Sequence, residues 1–92
     1  MATKLDSIDP DDVKDYGVNW ATHLDGDTIS TSSWAVESGT ATIDSSGNTS
    51  TATTVWLSGA TPVGSTLQVR NRITTAGGRT LDWTLHILVD AR

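Results

Sequence analysis

Two histidines, His23 and His86, are the only side chains that could act as the base of a nucleophile–base–acid triad. His23 lies in a polar stretch just before Asp25-Gly26-Asp27. His86 has the outward parity of the last apolar run, beside Gln68, so no catalytic residue is expected. The chain has no Cys, which removes the disulfide frame, the thiolate zinc site and the Cys nucleophile together. Carboxylates suit calcium, and Asp9, Asp11, Asp12 and Asp15, or Asp25 and Asp27 around Gly26, could offer oxygens. Neither set follows the EF-hand loop with its closing Glu, so the first reads as a solvated acidic lead-in and the second as a turn. No metal and no cofactor is expected. Gly77-Gly78-Arg79 lacks the strand-to-helix setting of a phosphate loop and is also a turn.

With catalysis set aside, recognition remains. Trp56 has the opposite parity to Val55 and Leu57 and should face outward, where an indole serves as a sugar platform or a protein contact. Leu5, Ile8 and Val13 are isolated apolar residues among charges in a segment that also holds Asp9, Asp11 and Asp12. These six and Trp56 are the candidate partner contacts. A formal charge of −5, with five acids in the first fifteen residues, argues against nucleic acid, whose binding relies on Lys and Arg. It favours a basic partner surface. No run approaches a membrane span, and the start of the chain turns acidic where a signal peptide would be apolar, so synthesis in the cytoplasm and no membrane contact are expected.

The elements that would position these residues are strands. A chain of 92 residues suits one small domain, and one this size buries only about 60–65% of its unfolded surface, a first hint of an assembly partner. Residues 1–15 read as an extended acidic arm and 16–92 as the folded domain, so that deleting the arm should leave the body folded. Strands are expected at 16–20, 28–36, 40–44 and 51–58, with turns at Asp25-Gly26-Asp27 and Ser45-Ser46-Gly47-Asn48. Two longer strands follow, at 66–75 and 80–89. The spacing argues for an all-β fold, a sandwich or small barrel, and the fold expected is an Ig-like sandwich of about seven short antiparallel strands. Its core should rest on aliphatics and on indoles drawn from Trp34, Trp56 and Trp83 ahead of Trp20, with Trp56 the one that parity turns outward.

Parity fixes the register of the last hairpin. Leu67, Val69 and Ile73 share one face, as do Leu81, Trp83, Leu85, Ile87 and Val89, and both sets are odd-numbered. A two-residue turn on Gly77-Gly78 would set inward residues opposite outward ones. A three-residue loop, Ala76-Gly77-Gly78, instead pairs Ile73 with Leu81, Val69 with Leu85 and Leu67 with Ile87, with a Gly at the left-handed position. The same register sets Arg72 opposite Asp82, and Asn71 opposite Trp83 as a buried amide bonded to backbone or to an indole N–H.

The stretch from Ser65 to Val89 resembles the last hairpin of Ig-like modules of the PKD and bacterial Ig type. The whole-chain pattern is more specific: Asp9-Pro10-Asp11-Asp12-Val13, Asp15-Tyr16, Trp20, Leu24-Asp25-Gly26-Asp27-Thr28-Ile29, then Thr54-Val55-Trp56-Leu57-Ser58-Gly59 and Asn71 to Thr80. It resembles small proteins of tailed bacteriophages and prophages, encoded among head and tail genes and often labelled fibre-tail adaptors. The resemblance implies a non-enzymatic virion protein whose Ig-like body docks in several copies on other virion proteins of the tail, fibre or capsid. A capsid decoration or cement protein, a carbohydrate-binding adhesive module using Trp56, and an enzyme accessory domain are the alternatives. The resemblance carries no contact residues onto this chain.

Overall fold

The computed structural model describes residues 5–91. Residues 1–4, where the expected arm begins, and Arg92 lie outside the described residues, as does the side chain of Leu5. In chain order the elements are β1 (Leu5–Ile8), β2 (Lys14–Asn19), a single helical turn α1 (Ala21–Leu24), β3 (Ile29–Ser38), β4 (Thr40–Asn48), β5 (Ala52–Thr61), β6 (Thr66–Thr75) and β7 (Thr80–Val89). They form two sheets, β1-β7-β6-β3 and β2-β5-β4. The neighbours β7-β6-β3 and β2-β5-β4 reproduce the G-F-C and B-E-D arrangement of an immunoglobulin sandwich. Among the described residues every pairing is antiparallel except one, since β1 runs parallel to β7 with Ile8 beside Val89.

Alternation of apolar and polar residues fixes which face of each strand is inside. In β6 Leu67, Val69, Asn71, Ile73 and Thr75 are buried and their neighbours are not, and Val55 and Leu57 play the same part in β5. The last hairpin has the register that parity dictates: Ile73 faces Leu81, Val69 faces Leu85, Leu67 faces Ile87 and Arg72 faces Asp82. Thr75 N–H donates to Arg79 O at 2.8 Å across the loop, and Gly78 takes the left-handed conformation at φ 87°.

Asn71 is the polar centre of the interior, with no exposed surface. Its Oδ1 accepts from Trp20 Nε1 at 2.9 Å and from Thr53 Oγ1 at 2.7 Å. Its Nδ2 donates to Ser32 Oγ at 2.9 Å and to Ser33 O at 3.0 Å. The amide therefore ties β6 to β3 within its own sheet and to β5 and the end of β2 across the core. Satisfied on both sides, it carries none of the desolvation penalty of an orphaned polar group.

Four features depart from the sequence reading. The first is the arm. β1 is hydrogen-bonded to β7, Ile8 is completely buried, the Tyr16 hydroxyl donates to Ser7 O at 2.6 Å, and Lys14 and Asp15 already belong to β2. The segment is woven into both sheets, and no boundary falls at Asp15. The second is the ranking of the indoles: Trp20 is the buried one at 2% exposure, while Trp34 and Trp83 lie half-buried against the core.

The third is α1. Trp20 N–H donates to Thr51 O and Asn19 Oδ1 accepts from Ala21 N–H, which starts a turn that drops Leu24 into the end of the core. Asp25 then stops it in the left-handed conformation at φ 52°. The fourth is β4, which runs on through a bulge between Ile43 and Ser45 as far as Asn48. The turn falls instead at 49–51, where the Thr49 hydroxyl accepts from the N–H groups of Thr51 and Ala52.

Between β3 and β4 the chain passes from one sheet to the other at Gly39. Its φ is 83°, and a Cβ there would meet Leu67 Cδ2 at 2.5 Å, so only glycine permits the crossing so close to the core.

Candidate functional site: the outer surface around Trp56 and the Asp9–Val13 turn

Residues that could do chemistry are placed apart. His23 is on α1, its ring 5.4 Å from that of Trp83 and 6.0 Å from that of Trp20, so it helps cap the aromatic end of the core. His86 lies on β7 opposite Gln68 and beside β1. Among the described residues no group of three or more His, Asp or Glu is arranged to hold a metal ion.

The acids instead close turns. Asp9 N–H donates to Asp12 Oδ2 at 3.0 Å, Asp11 N–H donates to Asp9 Oδ1 at 2.9 Å, and Asp12 N–H donates to Asp9 O at 2.9 Å. Asp27 accepts from Thr28 N–H at 2.8 Å and from Gly77 N–H at 3.0 Å, and pairs with Arg79. A hydrogen bond from the Thr75 side chain, then those amides and the nearby guanidinium, hold its carboxyl below the usual carboxylate range. Asp27 thereby clasps the loop before β3 to the last hairpin. A Cβ on Gly77 would come within 2.6 Å of its Oδ2, so the approach depends on glycine.

Of the candidate contacts, Ile8 cannot meet a partner, because it faces the core. Asp9 and Asp12 are half-buried in their turn, whereas Asp11 is exposed and Val13 is 66% exposed. Sequence reasoning missed Val63, 55% exposed in the loop between β5 and β6. Gly64 N–H donates to Val89 O and Asp90 N–H donates to Ile8 O, so this loop, the Asp9–Val13 turn and the end of β7 share one end of the sandwich.

Trp56 lies on the outer face of β2-β5-β4 with 41% of its surface exposed, as parity against Val55 and Leu57 requires. The register puts Asp15 of β2 beside it on one side, and Asp44 with Ser45 at the β4 bulge on the other. One step along the same face, Thr54 has Gly17 on one side and Gly47 on the other. On the Gly47 side lies a shallow trough of about 360 Å³, walled by Trp56 and floored by Gly47, Thr54 and Ala52.

The two glycines differ in cause. A Cβ on Gly17 would sit 2.7 Å from Thr53 O, so the backbone requires glycine there. At Gly47 a Cβ would meet nothing within 4 Å, and its φ lies outside the left-handed region. The fold does not require glycine at 47, and the trough does.

This compact Ig-like body, with Val13, Trp56 and Val63 exposed, is the setting for the comparison with known families. The family described as podophage GP4 fiber-tail adaptor protein gp77 matches residues 9–88. The chain belongs to this fibre-tail adaptor family. The match runs from the Asp9 turn through nearly all of β7, so it contains both the Asp9–Val13 turn and the whole β2-β5-β4 sheet with Trp56. No curated protein matches the chain. Membership makes the adaptor a phage structural protein that joins other virion proteins.

Proposed function

We propose that this adaptor is a non-catalytic joint between tail and fibre, present in several symmetry-related copies and made in the bacterial cytoplasm before it is assembled into the virion. The observation that carries this reading is the family match across residues 9–88, which covers the sandwich from its first turn to its last strand. The geometry supports it. A joint needs two separate surfaces on a rigid body, and the end bearing Val13, Val63 and the Asp9–Asp12 turn is distinct from the Trp56 face. Closed symmetry multiplies such modest surfaces into a stable ring.

Cryo-electron microscopy of the parent virion is the test. Density for this sandwich at the junction of tail and fibre, in a copy number matching the tail symmetry, is the expected result. Density over the capsid lattice, in capsid-scale copy number, would make it a decoration protein instead. No density anywhere on the particle would overturn the virion role.

A further inference from the structure

The outer face of β2-β5-β4 is charged in one sense. The register sets Asp15 beside Trp56 on one side and Ser45 on the other, with Asp44 next to Ser45 at the bulge; both carboxylates are exposed, and neither joins an ion pair among the described residues. No cation among the described residues answers them on the same face. Lys14 points its ammonium at Ser7 O and over the Tyr16 ring. Arg70, Arg72 and Arg79 are held by Glu37, Asp82 and Asp27 on the other sheet and its hairpin. An exposed indole bracketed by two unneutralised carboxylates matches one side-chain chemistry best. A guanidinium stacks flat on the ring and uses its fork of N–H donors on the carboxylates, which an ammonium does less well. The trough over Gly47 and Thr54 lies directly alongside and takes the neighbouring residues of the same segment.

We propose that this face is the docking site for an arginine-bearing polypeptide segment of another virion protein, with the guanidinium on Trp56 between Asp15 and Asp44 and the adjacent chain in the Gly47 trough. The inference rests on the adaptor reading and names the chemistry of one of its partners. Gly47 gives it a handle that packing alone does not: a residue the fold leaves free to carry a side chain is bare where the segment would lie.

The test uses purified full-length protein and phage particles from a strain whose copy of this gene is disrupted, with capture read by co-sedimentation. Capture of the wild-type chain is expected to fall at least about tenfold for Trp56→Ala, for the Asp15→Asn/Asp44→Asn pair and for Gly47→Val. Gly47→Val should melt no lower than wild type, which separates lost docking from lost folding. Particles treated with phenylglyoxal, which blocks arginine, should lose capture; particles acetylated on lysine or oxidised with periodate should keep it. Undiminished capture of Trp56→Ala and Gly47→Val by particles that bind the wild type would overturn the inference alone. Sensitivity to acetylation or to periodate, with phenylglyoxal harmless, would replace it with a lysine or a glycan partner. Failure of the particles to bind even the wild-type chain would overturn the adaptor reading and the inference with it.

Discussion

Asn71 and Asp27 are the two residues on which other side chains converge, and their environments predict opposite responses. Asn71 is uncharged and fully enclosed, so its contribution does not depend on pH. It depends on all its hydrogen bonds surviving together. Asn71→Ala leaves the Trp20 indole N–H, the Thr53 hydroxyl and Ser33 O without their partner and is expected to lower the unfolding free energy by about 2–4 kcal/mol. Urea unfolding followed by tryptophan fluorescence measures it, and a loss below about 0.5 kcal/mol would show that water replaces the amide.

Asp27 works through its charge. Its carboxyl is held below the ordinary range in the folded chain. The stability it contributes is therefore complete above the pKa of an unfolded carboxylate and is lost as pH falls through the lowered folded value. Below about pH 4 the wild-type melting temperature should drop faster than that of Asp27→Asn, which keeps an acceptor for Thr28 and Gly77 but has no proton to take up. Parallel curves for the two proteins across that range would assign the acid sensitivity to other carboxylates.

At the scale of elements, the interest lies in β1, the least conspicuous strand. Its four residues, Leu-Asp-Ser-Ile, place one described side chain in the core, that of Ile8, and make the one parallel pairing among the described residues. Ile8→Ala should cost about 2–4 kcal/mol and lower the melting temperature by roughly 10 °C or more. Removal of residues 1–8 should do at least as much. A truncated chain that melts with the wild type would restore the view of this segment as a detachable arm.

Why β1 escaped the sequence reading is physical. A strand that short, with an Asp and a Ser between two apolar residues, has the pattern of a solvated lead-in, and its parallel partner is the last strand of the chain. β6 and β7 were legible for the opposite reason, since ten residues each with alternation broken chiefly by Asn71 and Leu88 favour a single register, and a slip by one residue would expose most of the apolar set. Trp56 was legible from the same parity. Asp15, Asp44 and Gly47 were not, because which residues flank an indole depends on pairing with two other strands and on a bulge. Nothing in the sequence distinguishes a glycine the backbone needs, Gly17 or Gly39, from one it does not.

For the whole molecule, extents of 41 × 26 × 18 Å describe a slender brick that carries the uncompensated Asp15 and Asp44 on one face, while Arg70, Arg72 and Arg79 are each paired with an acid elsewhere. That polarity orients the body against a basic neighbour before close contact forms, and added salt should weaken the attraction. A domain of this size is expected to have modest stability, to which contacts in the virion should add.

The parallel pairing of β1 with β7 also decides how the brick bears load. Tension applied to the two ends of the chain drags β1 and β7 past each other along their length, and the hydrogen bonds joining Leu5–Ile8 to His86–Val89 must yield together. An antiparallel pair pulled from its open end would instead unzip, each bond breaking in turn. In a single-molecule pulling experiment the adaptor should therefore resist extension from its termini with a higher unfolding force than extension from Thr66 and Val89, which open β6 from β7. The first and last described strands are thus paired in the geometry that shares a tensile load.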